Sequence, residues 1–421
     1  MGKTIAEKIL ARASGCDGVE PGDYVTAKVD LEYNLDEDRM HRRVVKAGLP
    51  DGIPEVADPE GLVITVGDHW GCHGPPFVPA SLKRSRQLAQ KYGVEKVYDI
   101  NTGVCHTVMA DEGLVRPGML VCGEDSHGTT TGALNAAATP ISMEEVAWIH
   151  YTGELWFRVP ESIKFVCGGK LADGVTAKDV FLFVIGKYAP SLAQYKSLEW
   201  KGPVIDAMGM DGRFTLSCQS IELGAKFAPF EPDDTCLEYV ASTPYGNEPF
   251  WPTFPDPDAV YESVYEEDLT DLEPQVALPH GFDVVRPVSE MEGIKVDQCN
   301  LGSCANGRYD DLAMVARIVK GRKVKARTIL GPGSWETYRK ALKSGVLGTL
   351  VDAGVMVVVP SCIPCSGLGA NIADGEVAIA ATTRNFRGRF GTPNSDIYLA
   401  SPATAAASAV MGKITDPRKL L

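Results

Sequence analysis

The chain has 421 residues, 44% hydrophobic and 23% charged, close to globular averages and too long for one ordinary core, so two or three domains of about 100 to 200 residues are expected. Its 55 acidic against 41 basic residues give a net charge of −14, which disfavours nucleic acid as a partner but leaves room for a small anionic substrate met by a few arginines in a cleft. No uncharged apolar run of about 18 residues could span a bilayer, and eleven cysteines, an odd number, read as thiols of a reducing compartment, so a soluble, cytoplasmic protein is expected with no membrane partner.

In chain order, the first fourteen residues set Ile5, Ile9 and Leu10 on one helical face among charges. A signal peptide would need an uninterrupted apolar run there. Gly61-Leu-Val-Ile-Thr-Val-Gly67 reads as a buried strand that ends at Asp68-His69, and a helical pattern follows from Ala80 to Tyr92. Two further histidine motifs come next, Gly103-Val-Cys105-His106 and Glu124-Asp125-Ser126-His127-Gly128. Any one histidine is more often structural than catalytic. Three such motifs close together, two of them with carboxylates, in a chain with seven histidines, suit the removal of a hydroxyl as water, which needs an acid and carboxylates to orient each imidazole.

A domain boundary is expected around Arg158-Val-Pro-Glu161. The stretch from Glu231 to Pro287 is rich in Pro, Asp and Glu, and its Glu248–Asp258 portion cannot hold a helix or a central strand. It reads as a surface excursion near a second boundary. The expected units are 1–160, an α/β domain with the His/Asp motifs; 161–287, a second α/β domain with the Pro/acidic excursion; and 288–421, a third. Strand-like runs ending at Gly or Pro alternate with helical patterns such as Asp310–Val319, so the class is α/β.

In the third unit Gly302-Ser-Cys304-Ala-Asn306-Gly307 follows one apolar run, and Cys362-Ile-Pro-Cys365 follows another, Val355–Pro360. The Cys-x-x-Cys pair alone fits a thioredoxin-like redox pair or a zinc half-site as well as a metal cluster. Cys304 shifts that balance, because three cysteines suffice for a cluster with one open iron. A closed site would want a fourth Cys or a His, and none follows Cys365. The other eight cysteines read as small buried apolar residues, with Cys72 and Cys218 set apart. Arg384, Arg387 and Arg389 crowd into six residues beyond the cysteine pair. An isolated basic run would be a solvated loop, but this placement suits a clamp for substrate carboxylate.

The segments Glu112-Gly-Leu-Val-Arg-Pro-Gly118, Glu124-Asp-Ser-His127, Leu155-Trp-Phe-Arg-Val-Pro160, Gly302-Ser-Cys-Ala-Asn-Gly-Arg308, Cys362-Ile-Pro-Cys365, Arg384-Asn-Phe-Arg-Gly-Arg389 and Tyr398-Leu-Ala-Ser-Pro-Ala403 together resemble the aconitase superfamily. The closest branch is that of isopropylmalate dehydratase, homoaconitase and dimethylmalate dehydratase large subunits. The resemblance implies a three-domain α/β/α core lacking the swivelling fourth domain. It also implies a [4Fe-4S] cluster held by Cys304, Cys362 and Cys365, whose fourth iron takes substrate. Asp68 and His69 would handle the leaving hydroxyl, His106 would pair with Asp125, and His127 with Glu222. Ser126, Arg384 and Arg389 would bind substrate. The base in such proteins is a serine on the swivelling domain, so a small partner subunit is implied. The implied activity is that of a large catalytic subunit of a hydro-lyase acting on a small 2-hydroxy di- or tricarboxylic acid.

Departures from that pattern fall at Asp68–Pro76, where relatives continue with an aliphatic stretch, and at Tyr33–His41, where they carry an Asp-x-Thr-Gly-type loop. Cys218 and Thr383 stand where they place Asn near the cluster. The departures imply an altered substrate wall and a substrate that need not be isopropylmalate. Two other readings are a cluster-free hydro-lyase using a single metal, and a regulatory cluster-bearing binding protein; the −14 charge argues against an RNA-binding form of the latter.

Overall fold

A computed structural model describes residues 2–70 and 74–421; Cys72 lies outside the described residues. The N-terminal helix Ile5–Ser14 buries Ile5, Ile9 and Leu10, and the Thr4 N–H donates to Glu7 Oε2 at 3.0 Å to cap it.

The first sheet is parallel throughout, in the order Val97–Tyr98, Leu62–Thr65, Leu31–Asn34, Leu120–Gly123, Ala137–Pro140. Its three central strands are buried at every position, as strands covered on both faces must be. The antiparallel pair Tyr24–Lys28 and Glu154–Arg158 flanks it. A second parallel sheet joins Ser263–Asp268, Ser162–Gly168 and Ser197–Lys201.

The third sheet has seven strands in the order Val285–Pro287, Gln275–Ala277, Asp396–Ala400, Val377–Ala381, Gln298–Gly302, Arg327–Gly331, Met356–Val357. The last five run parallel and the first two are antiparallel additions. The excursion read from composition is therefore narrower than Glu231–Pro287. Glu248–Asp258 contains no helix or strand, but the flanking chain forms the helix Asp234–Ala241 and three strands. Short Val and Ala runs between the prolines are enough to pair at a sheet edge.

The first and third sheets point their carboxyl ends at each other, and the helix Met210–Ser220 with its continuation Ile221–Leu223 enters beside them. Loops at strand carboxyl ends are where open α/β sheets gather ligands. Backbone hydrogen bonds clamp the two halves: Val104 N–H to the Gly333 carbonyl and Trp335 N–H to the Thr102 carbonyl, each 2.8 Å.

The second sheet is anchored by Phe165, fully buried and stacked between Trp200 and Tyr265 at centroid distances of 5.0 and 4.9 Å. Phe165→Ala removes both stacks and leaves a cavity, so denaturant unfolding is expected to show a loss of about 3–5 kcal/mol. A loss below about 1 kcal/mol would mean the site relaxes and the stack carries little.

Candidate active site

Every charged group of the candidate site leaves a strand or helix end within a few residues. Asp68 and His69 follow the strand Leu62–Thr65, Asp125 and His127 follow Leu120–Gly123, and His106 stands at the start of the helix Cys105–Asp111. Asp68 is buried, and its Oδ1 accepts the Cys105 N–H at 2.9 Å.

Asp125 is the centre of this group. Its Oδ2 lies 3.2 Å from His69 Nε2 and its Oδ1 3.4 Å from His106 Nε2, and the same Oδ1 accepts the His127 N–H at 3.2 Å. Burial works against its charge, yet hydrogen bonds from His106 and His69 hold the carboxyl well below the usual range. His69 also sits 3.4 Å from Asp68 Oδ2 with 35% of its side chain exposed. Burial lowers its affinity for a proton, but Asp125 and Asp68 overcome that and raise the imidazole to about 9.

The second pair is His127 Nε2 with Glu222 Oε1 at 3.0 Å. Glu222 also accepts from Arg384 Nε at 2.6 Å, and Arg384 Nη1 reaches Ser126 Oγ at 3.3 Å. Against burial, His127 and Arg384 keep the Glu222 carboxyl ionised below its ordinary value. Arg389 is turned elsewhere, donating from Nε to the Cys365 carbonyl at 2.6 Å and lying 3.5 Å from Cys365 Sγ. Arg387 is exposed and caps the Pro393 carbonyl at 3.2 Å. The structure thus separates the three arginines.

On the other side stand the thiols. Gly302 ends its strand at φ +113°, where a Cβ would overlap the Gly331 carbonyl oxygen; only glycine fits, and the turn it makes delivers Cys304. Ser303 beside it holds φ +67°, backbone strain of the kind that gathers at functional sites. Cys304 and Cys362 join Val104, Ala305 and Cys218 in one buried cluster. Cys218 Sγ is 3.8 Å from Cys304 Sγ, and Cys365 Sγ is 3.2 Å from Thr383 Oγ1. Burial pushes the Cys362 thiol well up. It does the same to Cys365, but Arg389 and the Thr383 hydroxyl outweigh it and bring that thiol down to about 7. Donor atoms of Asp68, His69 and Cys362 all lie within 4.8 Å of one another, so the acid–base groups share one wall with the Cys362 thiol. The donor set suits an iron–sulfur group: three buried thiols from two loops, none of them in a disulfide.

A cavity of about 480 Å³ opens over Asp68, His69, Asp125 and Ser126, with Arg39 and Phe77 on its outer side. That volume suits a small molecule. Two residues of the site escaped sequence reasoning. Tyr33 donates to or accepts from His106 Nδ1 at 2.9 Å, and nothing local distinguishes it from a core tyrosine. Lys178 is fully buried; its only signal is a lysine at the start of a helix whose middle, Val180–Ile185, is apolar.

The sequence pattern of the aconitase family (aconitate hydratase) matches residues 80–292 and 281–412. The chain is 44% identical over 425 residues to 3-isopropylmalate dehydratase large subunit 1 of Methanopyrus kandleri, with all of both chains covered. It is 43% identical to the probable 3-isopropylmalate dehydratase large subunit of Methanothermobacter thermautotrophicus, again over 100% of each. The 3-isopropylmalate dehydratase large subunit of Caldicellulosiruptor saccharolyticus is 41% identical, covering 99% of this chain and 97% of that one. The crystal structure of Thermococcus kodakaraensis aconitase X in its holo form superposes with a TM-score of 0.50 over 92% of this chain and 91% of that one, at 11% identity; this likeness bears on the fold alone.

The Asp125–His69 pair gives a pH signature. The folded protein holds the His69 proton to about 9, against an ordinary value of 6.5. The stabilisation it brings is complete below the lower value and lost as pH rises through the upper one. In metal-free protein the thermal midpoint is expected to fall across that window, and Asp125→Asn to flatten the fall. Calorimetry showing equal slopes for the two proteins would remove Asp125 as the cause.

Proposed function

The chain belongs to the aconitase family, and we propose that it works as the large subunit of a hydro-lyase of the 3-isopropylmalate dehydratase type. The observation that carries this reading is the shared wall of Asp68, His69 and Cys362, which sets proton-handling groups directly beside one of three buried thiols fit for an iron–sulfur group. The substrate class is a small 2-hydroxy acid with two carboxylates, and the partner is a small subunit. On this reading the reaction is completed in the cytoplasm by a serine that the small subunit provides.

Cys304, Cys362 and Cys365 would hold a [4Fe-4S] cluster, with Cys218 beside Cys304 as a neighbour. When bound, such a cluster supplies a Lewis-acidic iron toward the substrate's hydroxyl and carboxylate. The rest of the chemistry belongs to the chain. The proton shared by His69 Nε2 and Asp125 Oδ2 is the one poised for a departing hydroxyl, and Asp68 holds the other face of the same imidazole. Tyr33 fixes the His106 ring so that its Nε2 stays on Asp125. Glu222 holds Arg384 against Ser126 at the cavity, presenting a guanidinium edge to a carboxylate.

Anaerobically reconstituted protein is expected to carry about four iron and four sulfide per chain. Cys365→Ser is expected to lower both and bleach the broad visible absorbance. A wild type that stays iron-free would overturn the cluster.

Assayed with a small subunit, the loaded chain is expected to hydrate or dehydrate malate-type acids bearing a short alkyl arm, 3-isopropylmalate among them. Arg384→Lys, which keeps the charge but loses the fork, is expected to raise KM more than it lowers kcat. Turnover confined to tricarboxylic acids would move the substrate assignment.

A further inference from the structure

Lys178 is the second residue of the helix Ala177–Tyr188 and is fully buried. Its Nζ donates to Gln219 Oε1 and to the Thr382 carbonyl, the latter at 2.8 Å. Both acceptors are neutral, and no carboxylate lies within ion-pair distance of it among the described residues. An ammonium taken out of water without an anion is costly. Its place adds to the cost, because the first turn of a helix is the positive end of the dipole. The Phe181 ring, 5.6 Å away, offers at most a modest cation–π offset.

The missing anion has an address. Gln219 follows Cys218, whose sulfur is 3.8 Å from that of Cys304. Thr382 precedes Thr383, whose hydroxyl is 3.2 Å from the Cys365 sulfur. The two hydrogen bonds of Lys178 therefore join two segments whose next residues, Cys218 and Thr383, touch the thiols of Cys304 and Cys365. Metal-bound cysteines are thiolates, so loading the site places several negative charges in front of a cation that otherwise has no anion in contact and feels the Glu222 carboxylate only from a distance.

Resting on the iron–sulfur reading above, we propose that Lys178 is the buried counter-charge of that group: a positioning residue that retains the loaded site and raises its reduction potential. One-electron reduction by an external reductant adds a further negative charge, and the ammonium favours that charge. In the metal-free chain the same ammonium is a liability.

The test compares wild type and Lys178→Met, each metal-free and after anaerobic reconstitution with ferrous iron and sulfide. In the metal-free proteins the thermal midpoint of the variant is expected to equal or exceed that of wild type; in the loaded proteins it is expected to fall below. At fixed potential, dithionite titration followed by electron paramagnetic resonance is expected to show the reduced form of the variant about tenfold less populated, a shift of about 59 mV for a one-electron couple. A variant destabilised equally in both states, or unable to fold without metal, would assign Lys178 an ordinary structural role and overturn the proposal. So would a loaded variant with an unchanged potential. A wild type that takes up no iron would instead remove the iron–sulfur reading, and this proposal with it.

Discussion

The site is organised around one buried carboxylate. Asp125 is shared by His69 and His106 through their ring nitrogens and by the backbone of His127. A buried aspartate left unpaired would protonate. Here the imidazoles keep it ionised, and it in turn helps to keep the proton on His69. Three separate loops are thereby held to one point, each leaving the first sheet or the helix after it. The same contacts hold the carboxyl ends of the sheet together.

The thiol half depends on backbone more than on charge. Gly302 and Gly331 let two neighbouring strands of the third sheet approach where a side chain on Gly302 would clash, and the strained Ser303 then turns Cys304 inward. The opposite loop is fixed by Arg389, which grips the Cys365 carbonyl and lies against its sulfur. An arginine that looks in sequence like a substrate clamp is, in the structure, the electrostatic partner of a cysteine. Arg384 is the one that reaches a residue of the cavity wall, Ser126, while it is held by Glu222.

Much of this was legible in the sequence because the site is made of strand endings. A Val/Ile run that stops at Gly or Pro and is followed by Asp-His or Cys announces both the strand and the residue it delivers. Those motifs follow the strands Leu62–Thr65 and Met356–Val357. The Pro-rich middle was misleading because composition reports what cannot continue a helix, not whether three free residues such as Gln275–Ala277 find a partner strand. Tyr33 and Lys178 were invisible for a different reason. Their significance lies in what they touch across the fold, and neither residue sits in a spacing that chemistry demands.

The cavity wall shows how a substrate arm would be sorted. Asp38 accepts from Arg84 at 2.5 and 2.8 Å and from Ser81 at 2.7 Å, and Arg42 lies 3.1 Å from it. These partners outweigh burial and hold Asp38 below its ordinary value, so the start of the helix Glu37–Lys46 is pinned to the helix Val78–Tyr92. That pinning aims Arg39 along the wall, where its guanidinium is 3.7 Å from Glu124. Burial raises Glu124 to about 7, so its hold on Arg39 is conditional on ionisation. A third carboxylate entering here would compete with Glu124 for Arg39. An alkyl arm would lie against Trp70, Phe77 and Val78 and disturb no ion pair. On the proposed reading, a dicarboxylic acid with a short apolar arm is thus the substrate the wall receives at least electrostatic cost.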